Sequence, residues 1–113
     1  PSDEGPFQPK VHTPHAVLCG DFNAGPADDA IAAVVSSDGP QAAHAFRDAW
    51  PLVHGNAAHA PTFRLFDHTY GDNPESYDFV FVSAELATRV RRIEVDLRTR
   101  ASDHQPVVVE LGA

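Results

Sequence analysis

Three short segments place acidic, amide and imidazole side chains next to apolar runs. Asp21 and Asn23 follow one apolar run, Asp78 lies inside an aromatic and aliphatic run, and Asp103 and His104 come just before the last apolar run. A carboxylate in apolar surroundings needs a partner, because an unpaired buried charge costs several kcal/mol. A histidine is a natural partner, so we take the three segments together as a candidate site.

The spacing of Asp21 and Asn23 predicts a polar pair at a strand end. Two residues apart in an extended chain, their side chains project to the same side, about 6 to 7 Å apart. The carboxyl end of a strand is also where open α/β sheets bind ligands. The same two residues could instead form a turn or cap the following helix, since Asp and Asn favour such places.

Simpler interpretations exist for the other two segments. Backbone N–H groups at a bulge could satisfy Asp78, and Ser102 could cap a loop that holds Asp103 and His104. A catalytic triad built from Ser102, Asp103 and His104 is excluded, because neighbours in an extended chain point to opposite faces.

Two metal-binding motifs are disfavoured. A calcium loop of the EF-hand type beginning at Asp21 would need Gly and Glu where the chain has Pro26 and Ala32. The remaining histidines have irregular spacing and no accompanying Cys pair, so scatter over the surface is favoured over a zinc site. These histidines include His12, His15, His54, His59 and His68.

Composition limits the class of protein. The chain has 113 residues, 42% of them hydrophobic, which suits one small globular domain. Its formal charge of -8 disfavours a protein that coats nucleic acid. Five of the eight basic residues lie at 89–100, where a solvated strand face is favoured over a substrate groove.

The single Cys19 excludes an intrachain disulfide. The sequence shows no membrane span and no targeting signal, so the cytoplasm is the favoured location.

The positions of apolar residues predict the elements that hold the candidate site. Residues 1–15 are a Pro-rich arm or linker, and residues 16–19 suit a strand buried on both faces. Helical periodicity predicts helices at 27–35 and 41–50, the second ended by Pro51. Alternation with a period of two predicts strands at 77–82 and 91–98. Short strands are also predicted at 62–66 and 106–111.

The segments VLCGDFNAGP, AFRDAW, PTF, YDFVFVS and SDHQPVVVEL, in this order, resemble the C-terminal half of the endonuclease/exonuclease/phosphatase superfamily. The resemblance covers residues 16–111 and departs from the family where Ser76 and Tyr77 replace an Arg-Ile-like pair. It implies an α+β fold in which residues 16–113 are half of a four-layer α/β/β/α sandwich. The strands at 16–19, 77–82 and 106–111 would form one mixed sheet with helices on one face.

The resemblance also implies roles in Mg²⁺-dependent hydrolysis of a phosphodiester. Asp21 resembles the residue that orients or deprotonates the attacking water, and Asn23 the one that holds a phosphate oxygen. His104 resembles the group that stabilises charge on the phosphoryl oxygens, with Asp78 holding its ring. Asp103 resembles a ligand or near-ligand of Mg²⁺, for which Mn²⁺ is an alternative.

Partners follow from the same resemblance. The substrate would be nucleic acid or a small phosphoester. The family's N-terminal half, which supplies a metal-binding Glu, is not represented in this sequence, so the fragment is expected to be inactive alone. A missing half, a second copy of the chain or the Pro-rich arm at 1–15 would then cover the bare sheet face. The alternative is a non-catalytic module that binds a metal or a partner through the same surface.

Overall fold

Five strands and three short helices make up the part of the chain that the computed structural model describes, residues 15–35 and 45–113. The predicted α+β class is confirmed. In chain order the elements are β1 (Val17–Asp21), α1 (Asp29–Val34), β2 (Phe46–Asp48), α2 (Ala49–His54), β3 (Asp78–Ser83), α3 (Ala84–Ala87), β4 (Val90–Val95) and β5 (Val107–Leu111).

The described strands form two antiparallel sheets, so the prediction of one mixed sheet is wrong in this detail. β3 is the central strand of the first sheet, with β1 on one side and β2 on the other. β5 pairs with β4 in a separate two-stranded sheet. Both edges of β3 are already occupied, and β4 lies close to β5 in sequence, where closing the loop costs little entropy.

The core forms on both faces of β3, because four successive residues of this strand are apolar. Phe79 and Phe81 point to one face, where Ile31 of α1 packs. Val80 and Val82 point to the other, where they meet the cluster that includes Trp50 of α2 and Leu86 of α3. Helices therefore cover both faces of the central strand, and not one face as predicted.

β1 differs from the predicted strand buried on both faces. All five of its residues are exposed, and Val17 retains 46% of its accessible surface. The reason is its place at the edge of the sheet, with β3 alongside and no described element beyond it. Cys19 on this strand lines an open apolar groove together with Val107 and Val109 of β5.

The helix predicted at 41–50 is only partly correct. Residues 41–44 lie outside the described residues, and the next segment forms β2 before the helix α2 begins. The carboxylate of Asp48 accepts the Trp50 N–H at 3.1 Å and so caps the start of α2. Pro51 is then in the first helical turn, where its missing N–H leaves no hydrogen bond unmade. Proline therefore helps to begin the helix that it was expected to end.

The remaining predicted elements agree in kind with the structure, with one exception. α1 is shorter than the predicted 27–35 and is capped by Asp28, whose carboxylate accepts the Ala30 N–H at 2.9 Å. The strands near 77–82, 91–98 and 106–111 appear as β3, β4 and β5. The exception is 62–66, where Phe63 makes isolated bridges and no regular strand.

Two further observations concern the chain as a whole. The predicted arm at 1–15 lies outside the described residues, apart from its last residue, His15. Within the described residues, none of the helices has the length and apolar character needed to cross a membrane.

The core on β3 can be tested with two phenylalanines of contrasting exposure. Phe81 is fully buried, whereas Phe66 is 38% exposed. Phe81→Ala should lower the free energy of unfolding by about 3 to 5 kcal/mol, because it removes buried area and leaves a cavity. Phe66→Ala should cost about 1 kcal/mol or less, chiefly through loss of the Arg100 cation–π contact. Urea unfolding measures both, and equal losses would contradict the assigned core.

Candidate active site

The site is built where β1 and β3 end side by side. Asp21 and Asp78 are directly opposite each other in the antiparallel register. Like charges in this position destabilise a strand pair, so a cationic group between them is favoured. His104, which lies just before β5, supplies an imidazole to both carboxylates.

His104 contacts the two carboxylates through different ring nitrogens. Its Nδ1 lies 2.8 Å from Oδ2 of Asp78, and its Nε2 lies 3.6 Å from Oδ2 of Asp21. An ionised carboxylate can only accept, so Nδ1 donates to Asp78 and carries the proton in the neutral ring. Nε2 is then the atom that gains or loses a proton beside Asp21. The predicted contact between Asp78 and His104 is thus present.

Exposure increases across the three side chains. The Asp78 side chain is 18% exposed, His104 is 30% exposed and Asp21 is 47% exposed. Asp78, the least exposed of the three, therefore holds the ring. Asp21, the most exposed, is the carboxylate that a water or a ligand can reach.

Charge around His104 changes its acidity. Partial burial of the ring lowers the pKa of His104, but the hydrogen bond to Asp78 and the negative charges of Asp78, Asp21 and Asp103 outweigh this effect. The net result is a pKa above the usual histidine value of about 6.5. The ring is therefore protonated in a larger fraction of molecules near neutral pH than an isolated histidine would be.

The backbone around Asp21 explains why this carboxylate stands at the strand end. Gly20 has a φ of 147°, a conformation that favours glycine, and β1 ends one residue later. Oδ1 of Asp21 accepts the Asn23 N–H at 2.7 Å, and Asn23 has a φ of 52°. The turn interpretation of this pair is therefore correct for the backbone, and the predicted extended spacing does not apply beyond Asp21.

Asp103 occupies a different position from the other predicted site residues. Its backbone carbonyl accepts the Arg64 N–H at 3.1 Å, and its Oδ1 accepts the Ser102 hydroxyl at 3.4 Å. The Ser102 hydroxyl oxygen in turn accepts the His104 N–H at 3.1 Å, as the loop-capping interpretation expects. Asp103 thus acts on His104 through charge and through the loop that they share.

One group of side chains among the described residues could hold a metal ion. The ligand atoms of Asp21, Asp78 and His104 all lie within 4.8 Å of one another, and Asp103 is not a member of this group. Because Asp78 already accepts from His104, Asp21 is the carboxylate most open to a cation. One open carboxylate with solvent beside it suits a divalent cation that keeps several waters.

The other described histidines and the cluster of arginines lie elsewhere. His54 and His59 stack on Trp50, and their ring centroids lie 4.0 and 4.5 Å from that of Trp50. Neither histidine belongs to a described metal group. Arg92 of β4 pairs with Glu110 of β5 at 3.6 Å with both side chains exposed, in agreement with the predicted solvated face.

The sequence analysis did not single out two residues that contact the site. The Phe63 ring stacks on His104, with centroids 4.6 Å apart and planes at 29°. Thr62 is completely buried and bonds to the backbone on both sides of the site. The sequence indicated this region as a short strand at 62–66 and as the segment PTF, and neither assigns a role to a single Thr or Phe.

Comparison with known proteins identifies one family. A family model described as "Endonuclease/Exonuclease/phosphatase family" matches residues 5–104. No curated protein and no solved structure gives a significant match.

The electrostatic environment of His104 predicts a measurable titration. In metal-free protein containing EDTA, NMR titration should give His104 a pKa above the usual histidine value of about 6.5, and Asp78→Asn should lower it. Because folding raises this pKa, the stabilising contribution is full below the unfolded value of about 6.5 and is lost as pH rises through the folded value. An unchanged His104 pKa in Asp78→Asn would contradict the assigned contact.

Proposed function

Because the chain belongs to the endonuclease/exonuclease/phosphatase family, a superfamily of phosphoester hydrolases, we propose that it carries catalytic residues of a divalent-metal-dependent phosphodiesterase. The observation that carries the proposal is the bridging of Asp21 and Asp78 by His104 at one open sheet end. A histidine with a raised pKa beside an exposed carboxylate suits a reaction in which a water is activated and negative charge develops on phosphoryl oxygens.

Each site residue has a proposed role. Asp21 orients the attacking water and takes its proton as the water oxygen bonds to phosphorus and the bond to the leaving oxygen breaks. His104 donates from Nε2 to a phosphoryl oxygen, while Asp78 fixes the ring through Nδ1. The Asn23 side chain makes no hydrogen bond to the described residues, which leaves its amide available for a phosphate oxygen.

We propose Mg²⁺ as the metal, with Mn²⁺ as an alternative. Asp21 would face it, Asp103 is proposed as a ligand or near-ligand although its carboxylate lies outside the described group of ligand atoms, and the bound cation would neutralise phosphate charge. Asp21 alone is a weak site, so further ligands are proposed to come from the N-terminal half of the family domain.

The exposed β1 edge supports the proposal of an incomplete domain. Val17 and Leu18 are 46% and 40% exposed, and the groove toward β5 is apolar. The N-terminal half, or a second copy of the chain, would cover this face.

The substrate is proposed to be nucleic acid or a small phosphoester, and the proposed location of the protein is the cytoplasm.

Catalysis can be tested with bis(p-nitrophenyl) phosphate and Mg²⁺ or Mn²⁺. We expect essentially no turnover by the 113-residue chain and clear, EDTA-sensitive turnover by a longer parent containing the N-terminal half. In that parent, Asp21→Ala or His104→Ala should lower kcat by roughly 10²- to 10⁴-fold, the usual worth of a general acid or base.

His68→Ala is the matched control for these variants, because His68 is exposed and belongs to no described metal group. It should leave kcat unchanged. An inactive parent that still binds Mg²⁺ would favour the non-catalytic module. Robust turnover by the short chain alone would refute the proposal that it is incomplete.

Coverage of the β1 edge can be measured by sedimentation velocity. The chain alone should self-associate with rising concentration, because the exposed apolar face is removed from water in a dimer. Val17→Lys places a charge in the apolar groove toward β5 and should weaken association, whereas Thr88→Lys, at an exposed position, should not. A clean monomer at all concentrations would count against coverage by a second copy.

A further inference from the structure

Thr62 is fully buried, and each of its backbone and side-chain oxygens accepts hydrogen bonds near the site. It retains 0% of its accessible surface. Its Oγ1 accepts the backbone N–H of Tyr77 at 3.0 Å and of Asp78 at 3.1 Å. A hydroxyl oxygen offers two acceptor positions. Both positions of Thr62 Oγ1 are therefore occupied by N–H groups at the start of β3.

At the start of β3, the pairing of the described strands is incomplete on the β2 side. β2 pairs with β3 only as far as Phe81, so it does not reach Tyr77 or Asp78. On the other side, the backbone of β1 is opposite Asp78 and the Phe22 N–H bonds to the Tyr77 carbonyl. Among the hydrogen bonds of the described residues, the Thr62 hydroxyl is the acceptor of both N–H groups.

The backbone of Thr62 extends the same attachment to His104. Its carbonyl accepts the N–H of Gln105, the residue after His104, at 2.7 Å. Gln105 is itself 4% exposed and its side-chain amide donates to Asp96 and Thr99 carbonyls, so this end of the loop is held firmly. Thr62 is therefore bonded to the backbone of Asp78 and to the residue beside His104.

The geometry points to Thr62 as the positioning residue that sets the Asp78–His104 pair, a role that rests on the proposed phosphodiesterase function. It touches neither the proposed substrate nor a reacting atom. It acts by fixing the backbone of Asp78 with its hydroxyl and that of Gln105 with its carbonyl. The 2.8 Å bond from Nδ1 to Oδ2 follows from this common attachment.

The test removes the hydroxyl and observes the imidazole directly. Thr62→Val keeps the shape of the side chain and loses the acceptor, whereas Thr62→Ser keeps the oxygen. Imidazole ¹⁵N and low-field ¹H NMR of the whole chain with EDTA, at a pH above the titration of His104, reports the tautomer. Wild type and Thr62→Ser should show one Nδ1-protonated form, and Thr62→Val should lose that low-field signal and show mixed tautomers.

Ser76→Ala is the matched control. Ser76 is also buried beside the start of β3, but its hydroxyl donates to the His59 and Ala60 carbonyls and has no bond to the pair. Its removal should leave the His104 spectrum unchanged. Because this readout needs no turnover, an inactive parent would refute the proposed function and leave the positioning result standing.

Each outcome decides the role of Thr62. A folded Thr62→Val with the wild-type ¹⁵N pattern would overturn the proposal, as would an equal change in Thr62→Ser or Ser76→Ala. If Thr62→Val does not fold, the smaller Thr62→Ala takes its place. Failure of both to fold, while Thr62→Ser and Ser76→Ala fold, would assign the hydroxyl to stability alone and would also overturn the proposal.

Discussion

The hydrogen bond between Asp78 and His104 joins the buried core to the open site. Asp78 begins β3, whose next four residues are buried, so its carboxylate lies where an unpaired charge is costly. The imidazole satisfies it at 2.8 Å and in doing so attaches the segment before β5 to the first sheet. Stability and proposed chemistry therefore depend on the same contact, and a change in either partner affects both.

The negative charges around this contact would allow an anion to bind only together with a cation. Three carboxylates act on His104 and raise its pKa, in a chain whose formal charge is -8. A phosphate would be repelled by these carboxylates unless their charge were offset by a protonated imidazole and a bound divalent ion. The clustering of acidic groups is thus consistent with the metal dependence proposed for this family member.

The fold is closed on one side and open on the other. The two faces of β3 are covered by α1 and by the cluster of α2, α3 and β4, whereas β1 remains exposed along its whole length. Asp21 stands at the end of that exposed strand, so whatever covers β1 also approaches the site. Under the proposal of an incomplete domain, the part that covers β1 would for this reason also supply ligands to the site.

Local sequence patterns indicated the positions of β3, β4 and β5 and placed Asp21 and His104 beside strand ends and Asp78 inside a strand, whereas the α+β class came from the family resemblance. Alternation and capping depend on neighbouring residues, so one sequence suffices for them. Tertiary structure alone decided that β5 pairs with β4 and that Thr62 joins the two ends of the site. Such contacts unite residues far apart in sequence, where pairing depends on which edges remain free and which buried groups lack a partner.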